Sequence, residues 1–152
     1  MKLQFEYNRI TRERILGAIE GLSVEQMIAV PEGFGNNVLW NFGHILITQH
    51  LLCFKLADKE PSIPNELIES YRKGSNAAAI TEPQKDLDYF KANVNKLIDL
   101  TEEAYEDGQL AGFNEYTTSY GVTLNSVEEA ISFNNLHEAL HLGYIMAMKK
   151  CI

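Results

Sequence analysis

Near the end of the chain, the pentad His137-Glu138-Ala139-Leu140-His141 sets two imidazoles four residues apart. On a helix that spacing puts both on one side, where they can close on a single metal ion. The pentad also matches HExxH, in which two histidines bind zinc and the glutamate is a general base. That motif needs a further ligand. Its extended form requires Gly and then His downstream, but Tyr144 and Ala147 stand at those places, and no Asp, Glu or His follows His141. A zincin protease is therefore disfavoured, and any third protein ligand comes from upstream.

Around an ideal helix at about 100° per residue, Ala130, Phe133, Leu140, Tyr144 and Met148 fall on the side of His137, with His141 close by. Both histidines thus sit in an apolar stripe, where an unpaired polar group costs about 1–3 kcal/mol. A metal satisfies them together; a hydrogen-bonded core pair or a wet crevice is the alternative. Upstream, Trp40, Ile47 and Leu51 surround His44 in the same way, and no other histidine lies on an apolar helix face. His50 is about 120° around from His44 and reads as a surface or crevice-edge residue. Glu138, at the border of its stripe, is either a solvated helix residue or a carboxylate behind the ligands, and it is the one catalytic candidate. Asn134 is either a polar wall of the pocket or the partner in a core hydrogen bond. Trp40 and Tyr144, each one turn from a histidine, are packing residues or contacts for a substrate.

These side chains need helices to hold them. An amphipathic pattern runs from about Leu3 to Glu20, with Arg12, Glu13 and Arg14 read among its polar residues, and Gly21 ends it. Ser23 with Gln26 forms a capping box for a short helical turn, and Pro31, Gly33 and Gly35 then make a loop. Asn36 or Asn37 caps a second long helix, from about Val38 to Ala57. Phe42, Leu46 and Cys53 make that helix apolar on the side opposite His44 as well. Such a helix is either central in its domain or buried again in an oligomer, and we expect a homodimer.

A short helix over Asn65 to Lys73 precedes a third long one, which opens at Pro83 with Thr81 as cap and ends near Asp107-Gly108. Gln109 to Asn125 reads as a loop, with a small hairpin as the lesser alternative. Ser126 and Glu129 form a second capping box and open the last helix, which runs almost to Ile152. Four long helices make an all-α four-helix bundle over residues 1–152, a single domain in which facing helices build metal sites.

Composition removes several classes of function. The chain has 152 residues, 45% of them hydrophobic, and no apolar run nears the roughly 20 residues that span a bilayer. A charged start, Met1-Lys2-Leu3-Gln4-Phe5-Glu6, is unlike a signal peptide, so a cytoplasmic location is expected. Cys53 and Cys151 make neither a disulfide framework nor a CxxC motif and read as free thiols. A net charge of −8 without a basic stripe opposes nucleic acid and anionic membrane.

In the residues Asn36-Asn37-Val38-Leu39-Trp40-Asn41-Phe42-Gly43-His44, Lys73-Gly74-Ser75 and His137-Glu138-Ala139-Leu140-His141-Leu142-Gly143, in that order, the sequence resembles the DinB-like superfamily. That group includes the YfiT-type metal-dependent hydrolases and the bacillithiol- and mycothiol-dependent transferases. The resemblance implies a four-helix bundle and a divalent metal, commonly zinc or nickel, held by one histidine of the second long helix and two of the last. At matching positions these are His44, His137 and His141, none of them substituted. Three histidines leave coordination positions open, as in a catalytic zinc site. The implied function is transfer or hydrolysis of a group on a small molecule, with or without a low-molecular-weight thiol as cosubstrate. The family also holds members without known activity, so the rival expectation is a non-catalytic, stress-related binding module.

Overall fold

The computed structural model describes residues 1–152. Seven α-helices account for most of it: α1 (Lys2–Ile19), α2 (Val24–Ile28), α3 (Val38–Cys53), α4 (Asn65–Tyr71), α5 (Pro83–Asn93), α6 (Lys96–Glu106) and α7 (Val127–Met148). Two-residue strands β1 (Tyr116–Thr117) and β2 (Thr123–Leu124) pair antiparallel, Tyr116 opposite Leu124, so the segment expected as a loop does close into a small hairpin.

The helix starts follow local chemistry. Ser23 and Gln26 make a reciprocal capping box at α2. Asn37, not Asn36, caps α3 by accepting the Trp40 amide at 2.7 Å, while the Asn36 side chain accepts the Ala77 amide. Ser126 caps α7, but the returning Glu129 carboxylate takes the Asn125 amide, one residue earlier than a capping box requires. Thr81 does not cap α5; Glu82 occupies that place without a side-chain bond, and Pro83 starts the helix unaided. The second long helix stops four residues earlier than expected, at Cys53, before a tight turn over Lys55–Ala57.

The bundle's directions follow from its contacts. Asn135 of α7 meets Gln4 of α1, and Glu138 meets Arg12, so α1 and α7 run parallel. Asn41 near the start of α3 reaches Met148 at the end of α7, which makes these two antiparallel. Phe42 packs on Phe90, and His50 bonds the Leu97 carbonyl, so α5 and α6 run alongside α3. The long helices therefore go up, down, down and up.

α3 is the central element. Fourteen of its 16 residues are buried, including Phe42, Leu46 and Cys53 on the side opposite His44. Its apolar circumference is consumed within the chain, so it supplies no argument for a second copy. This also corrects the reading of His50. That ring is 0% exposed, stacks on Phe54 at 4.7 Å and donates from Nε2 to the Leu97 carbonyl. α6 covers the side of α3 that an exposed histidine would have needed.

The third long helix is broken. α5 ends at Asn93 and α6 begins at Lys96, and the break frees a buried carbonyl on Val94. Arg12 NH1 donates to that oxygen at 2.7 Å. The same guanidinium pairs with Glu138 of α7 through Nε at 3.1 Å and NH2 at 2.8 Å, and NH2 also donates to Gln49 of α3 at 2.7 Å. Arg12 and Glu138 are both 0% exposed. One side chain thus ties together all four long elements, although in the sequence it stands between Glu13 and Arg14 as one of three consecutive charges.

Removing one member of a buried ion pair strands the other without water or partner and costs about 3–5 kcal/mol, whereas replacing both with apolar residues of similar volume is often neutral. Urea unfolding should therefore show Glu138→Ala and Arg12→Ala destabilised by about that amount. The double variant Arg12→Met/Glu138→Leu should recover most of the loss.

Candidate metal centre

The three histidines singled out in the sequence are brought together between α3 and α7. Their nearest ring nitrogens all lie within 4.8 Å of one another, and this three-histidine group could hold a metal ion. Ring centroids are 5.1 Å apart for His44 and His137, 4.9 Å for His44 and His141, and 4.5 Å for His137 and His141. His44 is buried, while the pair on α7 is half-buried at the edge of a cavity. The apolar stripe drawn around His137 is only partly internal. Ala130 and Met148 are buried, but Leu140 and Tyr144 are exposed, because Ile131, Asn134, Glu138 and Ile145 form the innermost edge of α7.

Two rings are oriented by hydrogen bonds behind them. His44 Nδ1 lies 2.7 Å from the Tyr71 carbonyl, which only accepts, so the proton is on Nδ1 and the Nε2 lone pair accepts from the Thr48 hydroxyl at 3.3 Å. His141 Nδ1 lies 2.7 Å from Asn41 Oδ1. The Asn41 amide nitrogen donates to the Asn37 carbonyl at 2.8 Å, which fixes that side chain with its oxygen toward His141. His141 Nε2 then faces His137 Nε2 at 3.1 Å. Histidine ligands of metals characteristically donate their other ring N–H to such acceptors, and the donor set here fits a divalent ion.

Electrostatics keep the rings neutral. Burial lowers His44, although the Tyr71 carbonyl works against the shift. Burial, with the neighbouring His141 and His44, takes His137 down to about 2, and burial with His44 takes His141 to about 3. Neutral imidazole is the form that binds metal.

The remaining predicted site residues lie around this centre and not on the cavity wall. Trp40 stacks on His44 at 4.4 Å with planes 13° apart, and its Nε1 donates to Ser75 Oγ. That bond gives the Lys73-Gly74-Ser75 stretch a structural reason. Tyr144 is 47% exposed and packs edge-on against Phe34. Asn134 is buried and donates to Glu138 Oε1 at 2.9 Å. Glu138 is neither of the two things expected of it: its carboxylate points into the bundle and is held by Arg12 and Asn134, with no face on the cavity. The general-base role suggested by the pentad has no support in this geometry.

The cavity itself has a volume of about 1070 Å³, room for a ligand of drug size. The three histidines line one end. Leu52, Leu56, Ile68 and Phe133 supply apolar wall, and Tyr116, Thr118 and Tyr120 come from the hairpin. No periodic signal in the sequence marked the hairpin or the Lys55–Pro61 turn as site-forming, since they reach the cavity only through tertiary folding.

Gly43 shows how tightly the support is packed. A methyl at its Cα would lie 2.6 Å from Phe90 Cε2 and closer still to Tyr71 Cδ1. Both rings are buried, so they cannot swing away. Gly43→Ala should lower stability by about 1–3 kcal/mol through overpacking. It should also weaken Co²⁺ binding in a titration, because the displaced Tyr71 carries the carbonyl that orients His44.

His50 gives a pH prediction. Burial holds it at about 4 against an ordinary 6.5. Between those values the unfolded chain binds a proton that the folded chain refuses, so stability is undiminished above about pH 6.5 and falls as the pH drops toward 4. Urea midpoints should show this loss in metal-free protein. His44, His137 and His141, also lowered by burial, add losses of the same sign, so His50→Leu should reduce the loss without abolishing it, with the Thr101 hydroxyl still satisfying the Leu97 carbonyl.

No curated protein matches the chain significantly. The family model described as the DinB superfamily matches residues 7–145, a span that contains all three histidines, the whole of α3, most of α7 and the buried Arg12. With nearly the whole length covered, the chain belongs to the DinB superfamily.

Proposed function

We propose that this protein is a divalent-metal-dependent enzyme that transfers or hydrolyses a group on a small molecule, with a low-molecular-weight thiol as the cosubstrate of a transfer reaction. The observation that carries the reading is the convergence of His44, His137 and His141 on one point at the end of a large cavity. Bound there, zinc or nickel supplies Lewis acidity, and three protein ligands leave positions for an atom of the substrate or cosubstrate.

The chain's own residues do the rest. Tyr71 and Asn41 hold two of the rings in the tautomer that turns Nε2 to the centre. Thr48 Oγ1, 3.3 Å from His44 Nε2, lines the same cavity and can orient an incoming group. The apolar part of the wall, Leu52, Leu56, Ile68 and Phe133, can take the body of a ligand. Neither cysteine is placed as an internal thiol nucleophile: Cys53 is buried and pushed up to about 12, chiefly by burial, and Cys151 is exposed and does not line the cavity. A thiol that reacts here is therefore supplied in solution.

Metal analysis of protein purified without a nickel column checks the first part of this reading. Wild type should hold about one equivalent, and His137→Ala or His141→Ala should hold at least tenfold less. Equal metal in wild type and variants would refute it. Loaded protein assayed on electrophiles with thiols, and on esters and amides, should show turnover that a chelator abolishes. Metal binding without turnover leaves a binding module.

A further inference from the structure

Of the three rings that converge on the centre, two have an acceptor behind them and one does not. His137 Nδ1 is buried and has no hydrogen-bond partner. Three residues earlier on the same helix, Asn134 Oδ1 is also buried and also without a partner. A donor-capable atom and an acceptor, each costly to bury unpaired, thus stand one turn apart. Side chains on a helix lean back over the turn that precedes them. The ring of His137 does so, lying nearly parallel to Phe133 with planes 24° apart, and this brings it over the turn that bears Asn134.

The amide of Asn134 cannot be reversed without cost. Its Nδ2 donates to Glu138 Oε1, and that carboxylate is fixed in turn by Arg12 through two bonds. Turning the amide over would set two oxygens against each other inside the core. The Arg12–Glu138 pair thereby dictates that Asn134 presents an acceptor, and not a donor, on its remaining side.

We infer that Asn134 is a positioning residue of the metal centre: its Oδ1 accepts the Nδ1 proton of His137 when a metal is bound at Nε2, and Arg12 and Glu138 orient it for that task. The inference rests on the metal reading above. Without a metal at Nε2, His137 can carry its proton there and donate to His141 Nε2 at 3.1 Å. A metal held at Nε2 would require the proton on Nδ1, and the acceptor on that side is Asn134. All three ligands then have an oxygen behind them: a main-chain carbonyl for His44 and an asparagine for each histidine of α7.

Two measurements test this. Co²⁺ titration followed by the visible spectrum should show Asn134→Leu, which keeps the volume and removes the acceptor, binding roughly 10- to 100-fold more weakly than wild type. Asn8→Leu cuts the same polar network at its far end, where Asn8 accepts from Gln49, and should bind like wild type. An unchanged affinity and spectrum in Asn134→Leu, or an equal loss in Asn8→Leu, would overturn the assignment. Independently of any variant's folding, nitrogen-detected NMR of zinc-loaded wild type should show three Nδ1 protons protected from exchange. His50 does not add to that count, since it donates from Nε2. Two protected protons would overturn the proposal. A wild type that takes up no Co²⁺ would refute the metal reading itself, and this proposal with it.

Discussion

The fold turns on one buried charge pair. Arg12 reaches Glu138, Gln49 and the Val94 carbonyl from the first helix, so α1, α7, α3 and the break between α5 and α6 meet at a single guanidinium. Such a pair is poor evidence for net stability, because two charges lose their hydration to make it. What it supplies is registry. Glu138 must face Arg12, and since residues one position apart on a helix diverge by about 100°, His137 is thereby turned outward toward α3 and the cavity. Rotating α7 to relieve the ion pair would carry both histidines away from His44.

The break in the third long helix belongs to the same arrangement. A continuous helix would have spent the Val94 carbonyl on its own backbone and given Arg12 nothing to bind there. Broken at Asn93-Val94-Asn95, it offers an acceptor at the bundle's centre. The break and the buried arginine satisfy each other. Either without its partner would leave an unpaired polar group in the core.

The histidine triad was legible in the sequence because its signals are local. A spacing of four on α7 and an apolar stripe on α3 are properties of single helices, and both survive in the folded chain. What could not be read there is tertiary. Arg12 stands in a run of three charges, and nothing local separates it from its solvated neighbours. His50 and Glu138 were placed by angle around an ideal helix, which tells which residues share a side but not which sides the rest of the chain covers. For α3 the answer was every side but the one on the cavity. The same ambiguity made its apolar circumference suggest a second copy when the remaining helices of its own chain cover it. The hairpin stood only as the lesser alternative for a related reason: two residues per strand are too few for an alternating pattern to show.

The site divides its labour between rigid and variable parts of the chain. All three histidines and two of the side chains behind them, Asn41 and Asn134, stand on α3 and α7, the most extensively packed pair in the bundle. Their geometry is therefore as stiff as the core. The opposite wall of the cavity comes from connections: the turn at Lys55–Pro61, the short α4 and the hairpin. Connections tolerate changes of length and sequence that packed helices do not. Lys55, Lys59 and Lys73 line that wall with no carboxylate paired to them, on a chain whose net charge is −8. On the function proposed above, the loops would select the ligand, while the chemistry rests on two helices and the arginine that sets their rotation.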